Sequence, residues 1–222
     1  QAQGILCASH FTRRTLIEAG ASAPIKVVPY GVDASLYPCR QVAPRGKFTV
    51  AFVGAFTQRK GALYLLRALH GLAPHVRLVI YTRAPIDPAF RAEFRNLDVE
   101  IKAGLSNAQL AEDIVRADVM ALPSIAEGFG LAILEAMACG VPVICTDNTG
   151  GADLITDGQD GFVTPIRDVA ALKQLLELGL ADRARFYEIG QAARKVAESL
   201  TWARYRVGFA AAYQALLEEA QL

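Results

Sequence analysis

Residues 117–151 read ADVMALPSIAEGFGLAILEAMACGVPVICTDNTGG and hold one whole strand–loop–helix–strand unit. Val119–Leu122 is an unbroken apolar run, the pattern of a parallel strand covered on both faces. A helical pattern over 130–139 starts directly behind Gly128 and Gly130, and Gly140 followed by Pro142 stops it. A second apolar run, 141–145, returns as the next strand.

The same alternation extends outward on both sides. Further strands, likewise read as near-continuous apolar runs covered on both faces, are expected at Phe48–Val53, 77–81, 99–102 and 161–163, and helices at 61–73, 88–95, 106–116 and 151–156. Ser106 with Gln109 three residues later has the form of a capping box. Strand and helix taking turns from residue 47 onward imply an α/β fold, an open doubly wound parallel sheet of Rossmann type. The two ends differ. Residues 5–8 and 11–19 read as a strand and a helix, KVVPYGVDASLYP (26–38) as a linker, and 168–180, 182–199 and 202–219 as three closing helices.

Composition limits the partners. The 222 residues carry 23 basic and 22 acidic side chains, a net charge of +1 that favours neither nucleic acid nor an anionic membrane. No apolar run reaches the roughly 18 residues of a membrane span, because Arg67 and His70 interrupt the richest one. Cys7, Cys39, Cys139 and Cys145 lack CxxC spacing and histidine neighbours, which reads as buried free thiols and a cytoplasmic protein. His10, His70 and His75 have no metal-ligand spacing. The chain opens on Gln1 with no signal-peptide pattern, which reads as a piece whose upstream part is left out.

In such a sheet ligands bind beyond the carboxyl ends of the strands, and three loops there are unusual. In GAFTQRKG (54–61), Gly54 permits a tight turn and Arg59 and Lys60 bring adjacent positive charges, suited to a diphosphate or simply to a solvated basic loop. The dinucleotide pattern GxGxxG and the P-loop pattern GxxxxGK[ST] are both absent, which argues against a dehydrogenase or a P-loop NTPase. In the loop after Leu122, Gly128 and Gly130 let backbone amides approach an anion where a helix dipole favours one. Glu127 lies before that helix and Glu135 about a turn inside it, so both can reach one cleft, or serve as a cap and a surface charge. In TDNTGGADLITDGQDGFVTP (146–165), Gly150 and Gly151 either open another helix or are turn glycines.

Residues 123–151, with the E-x7-E pair Glu127 and Glu135, resemble the signature of the retaining GT-B glycosyltransferases of the family 4 group. SHFTRRTLIEAG with KVVPYGVD resembles the end of that family's N-terminal domain and its linker, FVGAFTQRKG the phosphate loop, and DGFVTP with TWARY the C-terminal region. The resemblance implies a remnant of the acceptor domain at 1–24, an interdomain linker at 25–46, a Rossmann-like nucleotide-sugar domain at 47–200, and a C-terminal helix at 201–222 returning toward the N-terminal domain.

It further implies that Arg59 and Lys60 neutralise the diphosphate, that Glu127 meets donor-sugar hydroxyls, and that Glu135 meets the ribose. The backbone of Gly128, Phe129, Gly130 and Leu131 would hold phosphate and sugar, with Gly54, Ala55 and Ser124 at the same site. The nucleobase would lie along Lys102, Ala103 and Gly104. One departure is Ala55, where many members carry arginine; Arg59 would supply that charge.

The expected reaction transfers a sugar from a nucleotide diphosphate sugar with retained configuration, without a metal or other cofactor, since no Asp-x-Asp motif is present. The acceptor would be held by the missing N-terminal domain, through which alone a membrane could be met, and this piece would be inactive by itself. Alternatives on the same fold are a nucleotide-sugar epimerase, a phosphorylase, for which no cofactor lysine is found, and a non-catalytic binding module.

Overall fold

In the computed structural model, which describes residues 2–220, the chain begins with a small unit of its own. Strand β1 (Ile5–Cys7), helix α1 (His10–Glu18) and strand β2 (Ile25–Val27) form it, β1 pairing in parallel with β2. A 3-10 turn at Ala34–Leu36 follows. The main sheet contains β3 (Phe48–Val53), β4 (Val76–Thr82), β5 (Asp98–Ala103), β6 (Val119–Leu122), β7 (Val143–Thr146) and β8 (Phe162–Thr164). Connecting them are α2 (Ala62–His70), α3 (Pro88–Ala92), α4 (Asn107–Ile114) and α5 (Leu131–Ala138). Helices α6 (Val169–Ala181), α7 (Arg183–Ser199) and α8 (Trp202–Ala220) close the chain.

The spatial order is β5-β4-β3-β6-β7-β8, with every pairing parallel. The chain therefore travels outward from β3 to β5, returns to the centre, and travels the other way from β6 to β8. This is the doubly wound α/β arrangement expected from the sequence. With right-handed crossovers, α2 and α3 fall on one face and α4 and α5 on the other. The switch in direction lies between β3 and β6, which is where a ligand crevice forms in such sheets.

Burial explains the apolar runs. All four residues of β6 and of β7 are buried, and α5 buries Ile133, Leu134 and Met137 against them. Each such side chain contributes about 2 kcal/mol by leaving water. The full coverage expected for every strand fails at β5, an edge strand whose Glu100, Ile101 and Ala103 are exposed. Asp118, just before β6, is fully buried; it accepts from the Thr49 amide (2.7 Å) and from Arg183 (2.9 Å), tying β3 and β6 to α7. The capping box at Ser106 and Gln109 is present, and α5 ends just before Gly140.

Three expectations need correction. The segment read as a linker from residue 25 opens on strand β2, three residues that become a strand only because β1 lies beside them. The helix expected at 151–156 is a single 3-10 turn, Gly150–Asp153. Gly150 and Gly151 are buried there as packing residues, and Asp160 draws the chain aside by accepting from the Thr156 amide (2.7 Å). Of the four free cysteines only Cys139 and Cys145 are fully buried. Helix α8 packs on β1 and β2. Among the described residues no helix is long and apolar enough to cross a membrane.

Candidate functional site

The loop from Gly54 to Gly61 leaves the carboxyl end of β3. Its first amide donates to Tyr81 O (2.9 Å), and Phe56 anchors it by turning into the core against Phe52, ring centroids 4.8 Å apart. The chain returns through turns closed by Lys60 N to Thr57 O (3.1 Å) and Gly61 N to Gln58 O (3.0 Å). Lys60 folds back over Gly54, where a side chain would meet its Cε and Nζ at 3.8 Å. That is ordinary contact, so what calls for glycine here is the backbone, at φ +126°.

The loop after β6 lies against this one. Ile125 N donates to Arg59 O (2.8 Å), and the Arg59 guanidinium donates to Ala126 O (2.8 Å). The Lys60 ammonium pairs directly with Glu127, and Arg59 stands 3.5 Å from the same carboxylate oxygen. Lys60 and Glu127 are both largely enclosed, whereas Arg59 is mostly in solvent. The sequence left open whether the basic pair was only a solvated loop and Glu127 only a cap. Glu127 caps nothing, since the N-cap of α5 is Gly130, which has no side-chain cap bond.

Gly130 adopts φ +82° and sits where a Cβ would come within 3.0 Å of Ile133 and 3.2 Å of Glu127 Cγ. On either side of it and at Gly130 itself, the amides of Gly128, Phe129, Gly130, Leu131 and Ala132 find no acceptor among the described residues. A helix start with a row of free amides and no acidic cap is suited to an anion. The third loop supports it from behind. A Cβ at Gly150 would stand 2.7 Å from Phe129 Cα, and Asn148 O accepts from Glu127 N (3.0 Å). Gly150 and Gly151 are therefore supports and not ligand residues. Ser124, expected at the donor site, is fully buried beneath the loop and its hydroxyl opens on no cleft.

The N-terminal unit grips the same loop. The Ser9 hydroxyl donates to Gly128 O while accepting from Thr12 N (3.1 Å), and the Thr12 hydroxyl donates to Gly128 O (3.1 Å). Tyr30 meets Phe129 edge to face at 5.1 Å. The two hydrogen bonds to Gly128 O span 119 and 116 residues, and nothing in the local sequence announces them.

A cleft of about 360 Å³ opens beside the start of the 54–61 loop, across the ends of β3, β4 and β5; Arg59, Lys60, Glu127 and Gly128 to Leu131 are not in its wall. Of the expected residues, Gly54, Ala55, Lys102, Gly104 and Glu135 line it; so do Tyr81, Arg83 and Asn107, which the sequence reading missed. Arg83 donates to Asn107 Oδ1 (3.2 Å). The Lys102 side chain turns to Asp113 and lies 5.9 Å from the Tyr81 ring, so what it offers the cleft is its backbone and stem. Ala103 and Gly104 continue that exposed edge. Glu135 is no surface charge: burial pushes its carboxyl above the usual range, and a hydrogen bond from the Tyr37 hydroxyl (3.2 Å) partly offsets this. Among the described residues no group of three or more His, Cys, Asp and Glu side chains could hold a metal ion.

This geometry can be set beside known proteins. Residues 47–182 match the family model described as Glycosyl transferases group 1. The phosphatidyl-myo-inositol mannosyltransferase of Mycobacterium leprae is 34% identical over 183 residues, 78% of this chain and 48% of that protein. The fold matches sucrose-phosphate synthase from Thermosynechococcus elongatus with a TM-score of 0.84 at 24% identity, over 98% of this chain and 59% of the other. It also matches Anabaena Alr3699/HepE in complex with UDP-glucose, TM-score 0.82 at 22% identity, over 96% of this chain and 64% of the other. The α/β architecture is that of the GT-B glycosyltransferases. The chain spans about half the length of the relatives it matches. The family model alone covers more than half of the chain, so this protein belongs to the glycosyl transferases group 1 family.

Proposed function

We propose that this chain is the donor-binding, C-terminal domain of a retaining glycosyltransferase that moves a sugar from a nucleotide diphosphate sugar to an acceptor. The observation that carries the reading is the row of unaccepted amides from Gly128 to Ala132 beside Lys60 and Arg59. Cleavage of a glycosyl–phosphate bond builds negative charge on the departing diphosphate. Fixed donors and cations aimed at that charge stabilise the transition state.

In this reading the diphosphate lies at the start of α5, with Lys60 against it and Arg59 at the solvent side. Glu127 exchanges its partnership with Lys60 for hydroxyls of the donor sugar, while Glu135 takes the ribose in the cleft. The base lies along the open edge formed by Lys102, Ala103 and Gly104. The resemblance to family 4 enzymes supports retention and metal independence; the complex of Alr3699/HepE with UDP-glucose supports a nucleotide sugar as ligand. The acceptor falls to a further domain of the whole protein, as the half-length match suggests. This domain alone then binds donor without turning it over, and the four free thiols suit a cytoplasmic setting.

Thermal melting with a panel of UDP-, GDP- and ADP-sugars tests the assignment. A ligand at a hundredfold excess over its Kd stabilises by about 2.7 kcal/mol, and EDTA should leave that shift in place. The same shift in the Lys60→Ala variant would overturn the phosphate site.

A further inference from the structure

Glu135 stands between two spaces. On one side is the open cleft; on the other is a small hollow lined by Tyr37, Leu110, Ile114 and Cys139. The Tyr37 hydroxyl, reaching in from the segment before β3, is 3.2 Å from Glu135 Oε1. Among the described residues no other group hydrogen-bonds this carboxylate, and no ammonium or guanidinium forms a salt bridge with it.

Tyr37 is itself held. Arg194 of α7 donates to Tyr37 O (3.0 Å) and also to Ala138 O at the end of α5. One guanidinium therefore fixes the tyrosine's backbone to the helix that carries the glutamate, 98 residues away in sequence.

We propose that Tyr37 is a positioning residue of the donor site: its hydroxyl holds one oxygen of Glu135 and keeps the carboxylate oriented as an acceptor for the vicinal diol of a ribose. This rests on the donor-site reading above and adds to it a group outside the recognised motif. A carboxylate accepts two hydroxyls well only when it is ionised and its plane is fixed. Half-burial works against ionisation here, and the phenol opposes it. The other titratable and charged groups nearby are Cys139 at the end of α5, Asp33 and Cys39 on the segment that carries Tyr37, and Arg194 on α7; Lys102 and Arg83 line the cleft further out.

Calorimetric titration of the 222-residue chain with UDP, GDP and ADP, each against its 2′,3′-dideoxy analogue, tests this from pH 5.5 to 9. Tyr37→Phe is expected to weaken the ribonucleotide that binds by about tenfold, the loss of one hydrogen bond to a charged group. It should leave the dideoxy analogue unchanged. Because the phenol favours the ionised acid, its loss should move the fall in affinity on acidification to higher pH. Glu135→Gln, nearly equal in size, should abolish the ribose preference, and with it the pH dependence that the ribonucleotide shows beyond its dideoxy analogue, leaving only the titration of the ligand's own terminal phosphate.

Equal weakening of ribose and dideoxy ligands, or no change in either, would overturn the role of Tyr37 while leaving the donor site standing. Failure of the unmutated chain to bind any of the three nucleotides would instead remove the donor site, and Tyr37's role with it.

Discussion

Gly61 and Pro123 lie so close that a Cβ on the glycine would stand 1.9 Å from the proline carbonyl oxygen. The loops after β3 and β6 thus meet backbone to backbone, and Gly61 adopts φ +81° at the contact. Neither loop can shift without the other. Gly61→Ala should cost about 3 kcal/mol, combining a clash against main chain with a left-handed conformation that alanine resists. Chemical denaturation measures it, and a loss below about 1 kcal/mol would show that the loops are not wedged.

Lys60 and Glu127 also bind these loops to each other, and the two roles of the pair can be separated. Lys60→Met should destabilise by about 2 kcal/mol by leaving an enclosed carboxylate with only the solvent-facing Arg59 as partner. Adding Glu127→Gln should restore most of that stability, because no buried charge is left unpaired. Nucleotide diphosphate binding, followed by calorimetry, should stay lost in both variants. Recovered binding in the double variant would mean that the ammonium serves the fold alone.

Ser9 links the N-terminal unit to the glycine loop through Gly128 O and also caps α1. Ser9→Ala should cost about 1–2 kcal/mol as a lost cap. It should also lower diphosphate affinity, because the carbonyl that sets the direction of the amide row loses a donor. Thermal melting and calorimetry on the same variant check both, and an unchanged Kd would confine Ser9 to helix capping.

At the sheet edge, Lys47 and then Arg77 hold the Asp98 carboxyl below its usual range. A carboxyl with a depressed folded value adds stability above the unfolded value of about 3.9, and loses it as the pH falls through the folded value. Asp98→Asn should therefore melt slightly lower than the parent at pH 7, by less than about 1 kcal/mol for so exposed a cluster. The two curves should converge below about pH 4. A difference that persists at pH 2 would assign the effect to packing.

What could be read in advance followed the range of the interactions. β3, β6 and α5 were legible because local periodicity and the stop at Gly140 and Pro142 report burial directly. The capping box at Ser106 is complete within four residues. β2 was not legible, since three residues flanked by proline become a strand only against β1. Glu127 and Lys60 were recognised, but their pairing was not, and neither was the full enclosure of Ser124. Tyr37 beside Glu135, and Ser9 beside Gly128, depend on chain segments brought together across 98 and 119 residues. No spacing in the sequence encodes such distances.

The outer edge of β5 must meet two opposite demands. Its unpaired backbone is a template on which any extended peptide could add a strand. Asp98, Glu100 and Lys102 alternate along it, engaged with Lys47, Arg77 and Asp113, so a neutral β-forming segment approaching lengthwise would have to strip charged groups of partners and water. Past Lys102 the charges stop, and Ala103 and Gly104 leave the amide plane bare. The strand is therefore guarded by charge along its length and uncharged only at its tip, too short a stretch for another strand to pair with.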